Sequence, residues 1–288
     1  MSTSANESKI APEPVSGYAG VNGLRLHYLD WGGDGPPILI LHATGFLGRI
    51  YRPLAEALRS IGRVYSYDQR GHGDSEIPAV DAINWDLTAS DLEGFIAAMG
   101  FKDVRAVGHS AGGTAIGAVA ARRPGLIARG VLMEPVLVDP ADPRERPNDL
   151  RERTLRRRRS FDSVDAMFEN FARKPPYHTW RPGILRDYCE YGTKTDAEGR
   201  RALKCPPEIE AQIYATAREF DGAGHLLRCA APMLVMFGQD SDSPGILAAE
   251  RLRTPHRRVM TIPGTTHFIP MEQPELAARM AVEFLGGE

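Results

Sequence analysis

Short apolar runs of β type alternate, along the first half of the chain, with longer segments whose apolar positions recur at helical spacing. Residues 18–21 and 24–30 alternate in polarity about Asn22-Gly23, a dipeptide that tolerates the positive φ angles of a tight hairpin, and they predict an antiparallel opening pair. Ile38, Leu39, Ile40 and Leu41 form a continuous apolar run, as a strand buried on both faces of a parallel sheet requires. Residues 51–61 have helical spacing and 63–67 read as a strand. Leu87, Leu92, Phe95, Ile96 and Met99 form a helical stripe, Gly100 ends it, and two further strands are expected at 104–107 and 129–133. This alternation is the signature of the α/β class, a mostly parallel sheet covered by helices on both faces, with ligand sites beyond the carboxyl ends of its strands.

The rhythm breaks between residues 140 and 227. Prolines, arginines and aromatics accumulate there in short helical segments, at 148–159, 163–171, 182–191 and 207–220, with no strand clearly visible. This stretch reads as a helical cap inserted into the core. The core resumes with a strand at 233–237, a helix near 246–252, a strand at 258–262 and an amphipathic helix over 274–285. The expected organisation is therefore a mobile tail over 1–16, a core over 17–139 and 228–288, and a cap over 140–227.

Length and composition then narrow the function. A chain of 288 residues, 42% hydrophobic and 25% charged, can bury one large core. Its 35 basic and 37 acidic residues leave a formal net charge of -2, so no global charge favours nucleic acid or an anionic membrane, and a small-molecule partner is expected. Cys189, Cys205 and Cys229 are odd in number and widely spaced, which suits reduced thiols better than a disulfide framework or a zinc site. The first 16 residues lack a basic segment followed by an apolar stretch, and no apolar run approaches the roughly 18 to 20 residues of a membrane span. A cytoplasmic, membrane-free protein is expected.

The chemistry concentrates at residues 104–113, where an apolar run stops at Gly108-His109-Ser110-Ala111-Gly112. Small residues on either side of a serine let a strand reverse into a helix and leave the hydroxyl exposed at the tip, so Ser110 is the candidate nucleophile. A glycine-rich connecting loop is the plainer alternative. A serine hydroxyl is a weak nucleophile at neutral pH and needs an imidazole to take its proton and a carboxylate to orient that imidazole. His267, in the loop after the last strand, is the best of eight histidines for the base. For the acid, Asp242 and Asp240 compete in the loop after the strand at 233–237, with Asp242 favoured because it lies farther from the strand. Glu134, at the end of the strand at 129–133, ranks third. A developing oxyanion needs two backbone N–H donors, which Ala111 and Thr44 would supply.

With these residues assembled, the chain resembles the α/β-hydrolase superfamily in its Gly108 to Gly112 elbow, its turn at residues 68–75 and its order Ser110, Asp242, His267. The resemblance implies an α/β-hydrolase fold with an eight-stranded, mostly parallel sheet, a cap after the sixth strand, and cofactor-free acyl transfer to water. It departs from the common pattern at Ala43, where glycine often follows the histidine, and in the two-aspartate acid loop. Serine at the elbow argues against the dehalogenases and epoxide hydrolases of the superfamily, which use aspartate. A serine hydrolase of a small carboxylic ester or lactone is the function this implies. The alternatives are a carbon–carbon bond hydrolase of vinylogous diketones and a hydrolase-like ligand receptor.

Overall fold

The opening hairpin turns at Asn22 and Gly23 with φ of 49° and 80°, and joins β1 (Val15–Val21) to β2 (Leu24–Gly32) in antiparallel register. The structure is a computed structural model that describes residues 13–140, 149–242 and 251–287. The expected tail overlaps β1 by its last two residues, and Glu13 is tied to Arg49 and Arg52 by ion pairs. The next elements are β3 (Pro37–Leu41), α1 (Arg52–Leu58), β4 (Arg63–Tyr67), α2 (Trp85–Ala98), β5 (Val104–His109), α3 (Ala111–Arg122) and β6 (Ile127–Met133).

An insertion follows, containing α4 (Leu150–Leu155), β7 (Ser160–Phe161), α5 (Val164–Ala172), α6 (Pro182–Tyr191), β8 (Thr193–Thr195), β9 (Arg201–Leu203), α7 (Pro207–Thr216) and α8 (Gly222–Arg228). The chain ends with β10 (Met233–Gly238), β11 (Arg257–Ile262), α9 (Ile269–Glu272) and α10 (Pro274–Gly286). The helix expected near 246–252 falls, but for its last two positions, outside the described residues.

Eight strands form one sheet in the order β1-β2-β4-β3-β5-β6-β10-β11. β1, β2 and β4 pair antiparallel, and every pairing from β4 to β11 is parallel. Because side chains alternate across a strand, β3 feeds two cores at once. Leu39 and Leu41 pack on one face with Phe95 of α2 and with Ile116 and Val119 of α3. Ile38 and Ile40 pack on the other with Leu54 and Leu58 of α1 and with Ala281 and Leu285 of α10. The four residues Ile38 to Leu41 are fully buried, as a run without polar interruptions requires.

One expectation for the insertion needs correction. It is not purely helical, since β7, β9 and β8 form a small antiparallel sheet; strands of two or three residues are too short to show a period of two. Its later part packs on the main body, with Ile209 and Ile213 of α7 and Ala223 and Leu226 of α8 buried in the same core as α3. The three cysteines are free and buried. The arginine run divides: Arg157 turns inward onto Glu210 and the Tyr188 hydroxyl, while Arg151, Arg153, Arg158 and Arg159 are exposed and paired with nearby carboxylates.

Candidate active site

Ser110 sits between β5 and α3 at φ 53° and ψ −119°, a conformation that L residues rarely adopt. Its N–H donates to the Met133 carbonyl at 2.9 Å, and its own carbonyl accepts from the Thr114 N–H at 3.0 Å. The flanking glycines are sterically required. A Cβ on Gly108 would lie 2.5 Å from the Gly113 nitrogen, and one on Gly112 would lie 2.4 Å from the Leu41 carbonyl oxygen. The elbow is thus pressed against the end of β3, and only hydrogen fits at either side.

The loop after β11 presents His267. Thr265 Oγ1 donates to the Ile262 carbonyl at 2.9 Å, while the Thr266 N–H and Oγ1 donate to the two carboxylate oxygens of Glu272 at 2.7 and 2.8 Å. The loop crosses the end of β10 so closely that a Cβ on Gly238 would stand 2.3 Å from the Thr266 carbonyl oxygen.

The carboxylate that meets this imidazole is Glu134, with His267 Nδ1 3.1 Å from Glu134 Oε2. Glu134 is fully buried, directly after β6, and its N–H donates to the Met236 carbonyl at 2.7 Å. The Gly238 N–H donates to Oε1, and Ser241 Oγ donates to Oε2 at 2.8 Å. A carboxylate accepts only, so His267 Nδ1 carries the proton of that contact, and in the neutral ring Nε2 keeps its lone pair. The preference for Asp242 is corrected here. Asp242 and Asp240 are both exposed, and Asp240 contributes its N–H to the Thr265 carbonyl at 2.9 Å. The physical reason is the path of the loop: it leaves β11 and crosses back over the end of β10 at Gly238, which brings His267 to the residue at the end of β6, beside the elbow after β5.

Thr44 and Ala111 are buried at the same sheet end. Buried rings hold the loop at 42–46. The Ala43 N–H donates to the Tyr51 hydroxyl at 3.1 Å, the Gly45 N–H to His72 Nε2 at 3.0 Å, and the Phe46 N–H to the Ala43 carbonyl at 3.1 Å. Thr44 is left as the residue between Ala43 and Phe46 whose N–H has no partner among the described residues. Ala111 opens α3, where the first helical N–H groups lack intrahelical acceptors.

Three imidazoles near these loops are buried and neutral. Burial, then the neighbouring His72, pushes His42 down to about 3, and burial, then His267, pushes His109 down to about 3. His72 is lowered too, chiefly by burial. The sequence by itself assigns no role to His72, His109 or Tyr51. The signal it lacks is spatial, since these rings act on residues brought near by the sheet.

Aromatic rings from the insertion and the core close over this region. Trp180 stands 5.1 Å from Phe46 and 5.6 Å from Phe268, and the Tyr188 hydroxyl reaches the Gly45 carbonyl at 3.4 Å. Among the described residues, the grouping with metal-ligand character is His27, Asp68 and Asp74, with ligand atoms within 4.8 Å of one another. Its donors are already engaged: His27 bonds Asp68 at 2.8 Å and Ser16 at 2.9 Å, and Lys204 Nζ lies 2.7 Å from Asp74. No helix among the described residues is long and apolar enough to cross a membrane.

Known proteins place the fold in context. The chain is 35% identical over 128 residues to N-formylmaleamate deformylase of Pseudomonas putida, covering 44% of this chain and 47% of that one. It is 25% identical over 258 residues to 2-(acetamidomethylene)succinate hydrolase of Mesorhizobium japonicum, covering 88% and 89%. The chain spans less than half the length of the curated relatives it matches at higher identity. The solved structure of E-2-(acetamidomethylene)succinate hydrolase superposes with a TM-score of 0.81 at 24% identity, over 95% of this chain and 100% of that one. The model of the alpha/beta hydrolase family matches residues 38–280, and the chain belongs to that family.

Proposed function

We propose that the protein is a serine hydrolase that cleaves a small carboxylic ester or lactone through an acyl-enzyme on Ser110. The observation that carries this reading is the contact of His267 Nδ1 with the buried Glu134 carboxylate, at the sheet end where the strained Ser110 stands. In the proposed cycle His267 Nε2 takes the Ser110 proton as Oγ attacks the substrate carbonyl carbon. The oxyanion accepts hydrogen bonds from the Thr44 and Ala111 N–H groups. The imidazolium, stabilised by Glu134, protonates the leaving alcohol. Water then gives a proton to the same nitrogen, attacks the acyl-enzyme, and frees the acid as the proton returns to Ser110. The three-residue assignment is therefore Ser110, His267 and Glu134, with Asp242 set aside.

The insertion serves as the cap in this reading. Support comes from the rings of Trp180 and Tyr188 against Phe46 and Phe268, which would give an apolar wall to the substrate's acyl part. A fluorophosphonate probe tests the nucleophile: the native chain should be labelled and Ser110→Ala should not. A panel of p-nitrophenyl esters of graded acyl length, with lactones and an N-formyl amide, would then set the substrate class. Equal labelling of the Ser110→Ala variant would refute the assignment, and faster turnover of the N-formyl amide than of every ester would move the reading to amide cleavage.

A further inference from the structure

Tyr51 closes a short 3-10 turn at Gly48–Tyr51, far in sequence from the elbow, yet its hydroxyl lies 2.8 Å from His109 Nδ1. Partner chemistry fixes the direction of each bond. The carbonyl of His267, 2.7 Å from His109 Nε2, can only accept, so Nε2 carries the ring proton. Nδ1 of the neutral ring is then an acceptor and takes the Tyr51 O–H. The Tyr51 oxygen in turn accepts the Ala43 N–H at 3.1 Å. One chain of three hydrogen bonds therefore runs from the residue before Thr44, through the residue before Ser110, to the backbone of His267. Tyr51 and His109 are 2% and 1% exposed, so water cannot replace a bond that is lost.

We propose that Tyr51 and His109 form a polar strut that sets the spacing of the oxyanion loop, the nucleophile elbow and the base loop, and so act as positioning residues for the reaction. This rests on the reading of Thr44, Ser110 and His267 as the reacting groups. Neither strut residue touches substrate. The strut starts at Ala43, one residue before Thr44, passes through His109, one residue before Ser110, and ends on the backbone of His267 itself. The glycines at 108, 112 and 238 bring the backbones of these loops together but supply no polar tie between them, and the strut does. A neutral His109 is part of the design, because a protonated ring would present a second donor to Tyr51 and break the direction of the chain.

Fluorophosphonate labelling of the full chain tests this without knowledge of the substrate. The maximal labelling rate and the half-saturating probe concentration are measured separately for the native protein, Tyr51→Phe, His109→Leu, His109→Gln and the Tyr51→Phe/His109→Leu double variant. Tyr51→Phe and His109→Leu should lower the maximal rate by about 10- to 100-fold while half-saturation moves by less than about twofold, since misplacement acts on the bond-forming step. His109→Gln retains one donor and one acceptor and should recover about tenfold over His109→Leu. The double variant should be no slower than the slower single one, as residues in one chain are not additive. Rates within about twofold of native in both single variants would overturn the strut. So would a smaller labelled fraction at an unchanged rate constant, which marks loss of folded protein alone. Labelling that persists in Ser110→Ala would instead overturn the nucleophile assignment on which the strut depends, and the two failures are read on different variants.

Discussion

Glu134 Oε2 and His267 Nδ1 stand 3.1 Å apart although 133 positions separate the residues in the chain. The carboxylate is held from two other sides, by the Gly238 N–H and the Ser241 hydroxyl. Its orientation is therefore set before any substrate arrives, and the imidazole is left with one tautomer that suits a base.

Replacing Glu134 by Gln keeps the shape and the acceptor for Gly238 but removes the charge that favours an imidazolium. The maximal labelling rate, and kcat on any ester found, should fall by roughly 10³- to 10⁴-fold. Asp242→Asn should stay within about twofold, because that side chain is exposed while the imidazole Nδ1 meets Glu134. The reverse ranking of the two variants would return the acid role to the loop after β10.

Ser110 has a strained backbone at φ 53° and ψ −119°, and strain of this kind costs about 1–3 kcal/mol. Glycine adopts the same angles freely, at an entropic cost of about 0.5–1 kcal/mol. Ser110→Gly should therefore unfold in urea about 1 kcal/mol later than Ser110→Ala, with both unlabelled by the probe. Equal midpoints would mean that the elbow is not strained in solution.

The close approach at Gly112 gives a sharper stability test. A methyl group there would meet the Leu41 carbonyl oxygen at 2.4 Å, and backbone on both sides must shift to admit it. Gly112→Ala should cost about 3 kcal/mol or more, or prevent folding. Gly20→Ala, on the outer strand β1 with nothing within 4 Å of the added Cβ, should stay within about 0.5 kcal/mol. Similar melting temperatures for the two variants would contradict the tight elbow.

Acid should destabilise the fold through its buried imidazoles. His42 and His109 are pushed down to about 3, and His72 is lowered, so below the ordinary histidine range the unfolded chain binds protons that the folded chain refuses. Stability is thus full above about pH 6.5 and is lost as pH falls towards 3, at up to about 1.4 kcal/mol per pH unit for each ring. Urea unfolding at pH 7.5, 6 and 5 measures this. A free energy that stays flat over that range would show that the rings are not buried as neutral species.

Some of this architecture is local and therefore legible in the chain itself. The β3 run from Ile38 to Leu41, the Asn22-Gly23 turn and the glycines around Ser110 each carry their structural reason within a few residues: a period, a φ angle or a missing Cβ. The place of His267, directly after the last strand, is legible in the same way. Glu134 is not, because its role depends on which strands are neighbours. Periodicity shows that 129–133 is a strand but not that it lies between β5 and β10, nor that the loop after β11 crosses back over β10 to meet the carboxylate at its end. That the Thr44 N–H has no partner among the described residues is likewise a tertiary fact, since Tyr51 and His72 take the N–H groups on either side of it. Hydrogen bonds between loops far apart in sequence leave no periodic trace, so the chain alone determined the framework and put Ser110 and His267 at the strand ends as candidates, while packing of the strand ends decided which carboxylate meets His267 and which amide of the 43–46 loop lacks a partner among the described residues.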